Sequence, residues 1–187
     1  MAQLIARGIE SVEQTTARLR TVPPVTDQTQ THTRPHPDNG APYATPEDLT
    51  ECQGLALGSP TRFGNMAAPM KYFLDGTSGL WLSGQLVDTP AIVFTSTSSL
   101  HGGQETTLVS MMLPLLHHGC IVMGLPYNEP ALLKTTTGGT PYGPTHVAGP
   151  NQDNRISDDE KTLCEVAGRR LAHKVTQLKG TNTNQAK

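Results

Sequence analysis

Pro90-Ala91-Ile92-Val93-Phe94 is apolar at every position and only about as long as a strand. A strand with one wet face alternates apolar and polar residues. An unbroken apolar run of this length suits a strand covered by helices on both faces. Helical patterns flank it, one from Ala67 to Asp75 carrying Met70, Phe73 and Leu74, the other from Gln104 to His118 with Gly119 as its stop. Gly54-Leu55-Ala56-Leu57 and Cys120 to Leu125 read as further short strands. Strands alternating with helices predict an α/β sandwich built on a parallel sheet. With 187 residues and 35% hydrophobic content, the chain suits one domain, expected over residues 1–180, followed by a loose polar tail over 181–187.

The remaining segments fit around that frame. Ala2, Ile5, Ile9 and Val12 recur at helical spacing, which predicts an uncapped helix from Met1 to Glu13. Thr16 to Val22 alternates, and Arg18 and Arg20 on one side suit an edge strand. Pro23 to Ala44 has no apolar period and reads as a long loop. Thr45-Pro46-Glu47-Asp48 starts a helix, with Thr45 as cap and Pro46 in the first turn. Gly76 to Leu86 is a turn-rich excursion holding Trp81, and Thr135 to Gly149 is a glycine- and proline-rich loop. Ser157-Asp158-Asp159-Glu160 reads as a capping box. The last helix carries the stripe Leu163, Val166, Ala167, Leu171, Val175, Leu178, with Gly180 as its stop.

A formal charge of −2, from 14 basic and 16 acidic residues without long runs, argues against a nucleic-acid platform or a polybasic membrane anchor. No stretch has the roughly 20 apolar residues that span a bilayer. Cys52, Cys120 and Cys164 are scattered and odd in number, which predicts reduced thiols in a cytoplasmic protein. No GxSxG elbow, HExxH pair, Walker A loop or GxGxxG turn is present. The histidines show no metal-ligand spacing, so no metal site is expected. The chemistry is therefore expected to belong to a cofactor.

Three loops follow the carboxyl ends of strands, where ligands of open α/β sheets bind. The first is Gly58-Ser59-Pro60-Thr61-Arg62-Phe63-Gly64-Asn65-Met66, which offers hydroxyls, a guanidinium and a phenyl ring. The second runs from Ser96 to Glu105, and its glycines permit close backbone approach. The third is Gly138-Gly139-Thr140-Pro141-Tyr142-Gly143. Together they suit a flat, polar-edged ring system.

These motifs, with Phe73-Leu-Asp75, Gly79-Leu-Trp81, His101-Gly-Gly-Gln-Glu105 and His117-His-Gly119, resemble the WrbA family of FMN-dependent NAD(P)H:quinone oxidoreductases. The resemblance covers about Ala2 to Leu178. It implies a flavodoxin-like three-layer sandwich with strand order 2-1-3-4-5, FMN as cofactor, NAD(P)H as electron donor, quinones as substrates and a homotetramer. Thr61, Arg62 and Phe63 would line the flavin. Ser96, Thr97, Ser98, Ser99, Leu100, His101 and Gly102 would wrap it. His117 would approach FMN, and Trp81 would wall the substrate pocket from its own or a neighbouring subunit. Against the family pattern, Met1 falls inside the first helix, so the first strand and the Ser-rich phosphate loop are absent from this chain. A fragment or a late start of a longer protein is the expected cause, the alternative being a genuine short form with weakened flavin binding. Two alternatives follow: an FMN-binding electron carrier without turnover, or a flavin-deficient interaction protein.

Overall fold

The structure, a computed structural model, describes residues 1–25 and 37–184, with side chains through residue 180. In chain order its elements are α1 (Ala2–Glu10), α2 (Pro46–Glu51), β1 (Leu55–Arg62), β2 (Asn65–Met66), α3 (Ala68–Asp75) and α4 (Ser78–Leu82), then β3 (Pro90–Thr97), α5 (Gln104–His117), β4 (Ile121–Val122), α6 (Pro130–Lys134), β5 (Thr145–Val147) and α7 (Asp158–Asn184). The sheet runs β2-β1-β3-β4, and β5 also pairs with β3. β4 takes the start of β3, through Pro90↔Ile121, and β5 takes its end, through Thr95↔Thr145. One sheet position is thus shared by two short strands. All pairings are parallel except the β1–β2 hairpin.

β3 is buried on both faces, as its unbroken apolar run requires. Ala91 and Val93 pack with Leu108, Met111 and Leu115 of α5. Ile92 points the other way, into Ile5 of α1 and Leu163, Cys164 and Ala167 of α7. Each aliphatic side chain buried in this way is worth roughly 1.5–3 kcal/mol. α1 and α7 cross at two glycines. A Cβ on Gly8 would lie 2.1 Å from the Glu165 carbonyl oxygen, and one on Gly168 would lie 2.0 Å from that of Ile5.

The capping box expected at Ser157 is present, and Thr45, expected as a cap, forms a second one with Asp48. The Thr45 N–H donates to Asp48 Oδ2 at 3.1 Å. The Ser157 N–H donates to Glu160 Oε2 at 2.8 Å, and the Glu160 N–H returns to Ser157 Oγ at 3.2 Å. Among the described residues, no helix is long and apolar enough to cross a membrane.

Several boundaries depart from the sequence reading. Thr16 to Val22 is not a sheet strand; among the described residues its ladder contact is an isolated parallel bridge, Thr21↔Tyr43. Arg18 and Arg20 instead pair with α2, at 2.6 Å to Glu51 and 2.8 Å to Asp48. Between this run and β1 lies a cavity of about 1190 Å³, lined by Ile5, Ile9, Leu171 and Val175 among others, and no described strand fills it. The strand expected over Cys120 to Leu125 shortens to β4, while β5 forms inside the expected Thr135 to Gly149 loop. α7 continues through Gly180 to Asn184, because a single exposed glycine costs a helix only about 1 kcal/mol. Expectations for residues 26–36 of the long loop and 185–187 of the tail lie outside the described residues.

Candidate functional site

The first loop is mostly strand. β1 runs on through Pro60, which pairs with Ser96 of β3, and ends at Arg62. The turn to β2 is then only Phe63-Gly64, with φ of +53° and +75°. Two consecutive positive φ angles mark the primed turns whose twist matches a tight hairpin. Phe63 accepts a backbone conformation that glycine adopts more easily, and its ring stands free of the protein at 107% relative exposure. Thr61 and Arg62 sit just before this tip. The Thr61 hydroxyl lies 2.7 Å from Thr107 Oγ1 of α5, and Thr107 in turn donates to the Gly103 carbonyl at 2.7 Å.

The second loop is shorter than read, because β3 extends through Ser96 and Thr97. Thr97 is buried and donates to the Ser99 carbonyl at 2.8 Å, and the Gly102 N–H closes back on the same carbonyl at 3.1 Å. Ser98 to Gly103 is therefore a compact turn that leaves Leu100 and His101 exposed. Gly103 has φ +90°, and a Cβ there would come within 2.8 Å of the Gly64 Cα. The hairpin tip and the second loop meet backbone against backbone.

The third loop is held from beneath by Glu160, only 1% exposed. Its Oε1 accepts from the Gly138 N–H at 2.8 Å and the Val147 N–H at 3.1 Å. Its Oε2 accepts from the Ser157 N–H at 2.8 Å and from His146 Nδ1 at 2.9 Å. Burial pushes this carboxyl up, but the hydrogen bonds from Ser157, His146, Gly138 and Val147 together hold it below the usual glutamate range. Sequence reasoning saw Glu160 as a helix cap and missed this second role. The signal lay in Gly138, where a Cβ would meet the Thr145 carbonyl oxygen at 2.1 Å and Glu160 Oε1 at 2.6 Å.

Two expected site residues are not brought to these loops within one chain. His117 ends α5, whose first residue, Gln104, borders the second loop; a helix of that length puts about 20 Å between its ends. Trp81 lies on α4, which is tied to the far end of α5 by a 2.8 Å hydrogen bond between Thr77 Oγ1 and His118 Nε2. Cys120 and Cys164 are buried thiols, pushed up by burial to about 11 and about 12. Such thiols stay protonated and serve as packing.

The match to a family model, NADPH-dependent FMN reductase, spans residues 1–128. A relative named NAD(P)H dehydrogenase (quinone), from Solidesulfovibrio magneticus, is 39% identical over 186 residues, covering 96% of this chain and 92% of that protein. One with the same name from Chromohalobacter salexigens is 41% identical over 184 residues, with the same coverage. Among solved structures, a flavodoxin, WrbA-like protein from Agrobacterium tumefaciens aligns with a TM-score of 0.55 at 24% identity, over 70% of this chain and 71% of that one. The fold is flavodoxin-like, and the chain belongs to the NADPH-dependent FMN reductase family.

Proposed function

We propose that the three loops at the carboxyl edge of the sheet form the flavin seat of an FMN-dependent NAD(P)H:quinone oxidoreductase. Family membership and the two relatives named NAD(P)H dehydrogenase (quinone) support the activity. The observation that carries the seat is the backbone contact of Gly64 with Gly103, which brings two of the loops onto one rim.

The residues present suit a flat ring with polar edges. Phe63, Leu100 and Tyr142 expose apolar surface around the rim, where a planar ring can pack. The Arg62 guanidinium precedes the hairpin tip, with Nη1 donating to the Thr61 carbonyl at 2.7 Å. Its charge favours extra negative charge on a bound ring. FMN, when bound, carries two electrons from NAD(P)H to the quinone. Thr61, Thr97 and Thr107 spend their hydroxyls on backbone or on one another, so they shape the loops, while the exposed groups meet the ring.

The finer, WrbA-type reading adds a homotetramer and a pocket wall from a neighbouring copy. It gives Trp81 and His117 a place that one chain alone does not. Exposed apolar side chains at that end of the molecule support it: Trp81 at 51%, Leu82 at 77%, Leu113 at 55% and Leu116 at 57%. The free thiols Cys52, Cys120 and Cys164 support a reducing, cytoplasmic setting.

The test is benzoquinone reduction followed through NADPH oxidation, with and without added FMN. Turnover that rises with FMN occupancy is expected. Flavin-loaded protein that leaves NADPH unoxidised would reduce the chain to a carrier.

A further inference from the structure

Gln104 is a polar side chain at the start of α5 that is only 3% exposed. Its Nε2 donates to the Leu100 carbonyl at 2.7 Å, and its Oε1 accepts from the Thr145 hydroxyl. Thr145 Oγ1 in turn accepts from the Gly139 N–H at 2.6 Å. The bond directions are fixed by chemistry. A carboxamide oxygen only accepts, so the single Thr145 proton goes to Gln104, and the Gly139 amide must be the donor to Thr145. One buried chain of bonds therefore runs from a carbonyl of the second loop, through two side chains, to an amide of the third.

Burying an amide and a hydroxyl side by side costs stability unless each is satisfied. Hydrogen-bonded pairs of this kind fix one geometry where an apolar pair would tolerate several. The bonds these side chains make go to each other and to loop backbone. What they govern is the spacing between the backbone that carries Leu100 and the backbone that carries Tyr142, both of which expose their side chains.

We propose that Gln104 and Thr145 are a pair of positioning residues that lock the second loop to the third, so that both meet one bound ring at a set separation. This rests on the reading of these loops as the flavin seat.

The test compares Gln104→Met, Thr145→Val, the double variant and Thr145→Ser in the full chain, by FMN fluorescence titration and by amide hydrogen exchange without flavin. Each disruptive single variant is expected to weaken FMN binding about tenfold, the scale of one or two lost hydrogen bonds. The double variant should be no weaker than the worse single one, because one linkage is broken either way. Thr145→Ser keeps the hydroxyl and should bind FMN as the wild type does. In the flavin-free protein, Thr145→Val and Gln104→Met should both speed exchange at the Gly139 amide. Additive losses, failure of Thr145→Ser to restore affinity, or unchanged exchange at Gly139 in Gln104→Met would each overturn the coupling. Wild-type protein that takes up no FMN would overturn the seat itself, while the exchange measurement would still decide the linkage. Val for Thr at Thr145 preserves shape, so that variant reads the hydroxyl even if Gln104→Met folds poorly.

Discussion

Gly138 lies directly against Glu160: its N–H donates to Oε1 at 2.8 Å, and no side chain larger than hydrogen fits between them. Through this contact the start of α7 governs the shape of the third loop. Glu160→Leu would strand the donors at Gly138, Val147, Ser157 and His146. A buried unsatisfied donor costs about 1–3 kcal/mol, so a loss of about 3 kcal/mol or more in urea denaturation is expected, and a smaller loss for Glu160→Gln. The native carboxyl titrates below its unfolded value. Its contribution is therefore complete above the usual glutamate pKa of about 4.3 and fades as pH falls through the lower native value. The stability gap between wild type and Glu160→Gln should narrow over that acidic window.

Glycine-to-alanine changes should split by location. Alanine normally favours a helix by about 1 kcal/mol over glycine. Gly180 has nothing near a Cβ, so Gly180→Ala should leave thermal stability unchanged or raise it slightly. Gly8→Ala and Gly168→Ala drive a methyl into facing helix backbone. Overpacking of this kind costs about 1–3 kcal/mol, and both variants should melt several degrees lower, measured by circular dichroism.

His118 predicts a separate pH effect near neutrality. Thr77 gives its proton to the Leu74 carbonyl at 2.6 Å, so it accepts from His118 Nε2–H. The buried Nδ1 has no hydrogen-bond partner among the described residues. Burial, and then the nearby His117, lower the native pKa of His118. Below the ordinary histidine value of about 6.5, the unfolded chain takes up a proton that the native chain resists. Stability should therefore fall as pH drops through that value, and level off once native His118 protonates. In His118→Gln this part of the decline should vanish, as read from denaturation midpoints between about pH 7 and pH 5.

Much of this arrangement was legible in the residues, and the failures have physical reasons. Pro90 to Phe94 announced a strand with two covered faces, and Ser157 and Glu160 announced a helix start, because both are local patterns. The extension of β1 through Pro60 was hidden because proline removes a ladder donor, although Pro60 still pairs with Ser96. Thr16 to Val22 has the alternation of a strand, but among the described residues it pairs only through the Thr21↔Tyr43 bridge, and a cavity lies between it and β1. The β3–β5 pairing, the Gln104–Thr145 bond and the His146–Glu160 bond join residues 14 to 50 positions apart, a relation that periodicity does not encode. The site residues drawn from resemblance divided likewise. Those on the β1 and β3 loops come together, whereas Trp81 and His117 lie at the opposite end of α5.

The claim that loops after β1 and β3 share a single flavin seat is tested most directly by titrating FMN into wild-type protein and Gly103→Val. Gly103 combines φ +90° with contact against Gly64, so valine there must push the two loops apart. Stoichiometric binding by wild type, weakened about tenfold or more in a folded Gly103→Val, is the predicted result. Flavin that remains free in the presence of excess wild-type protein, or that binds both proteins alike, would contradict it.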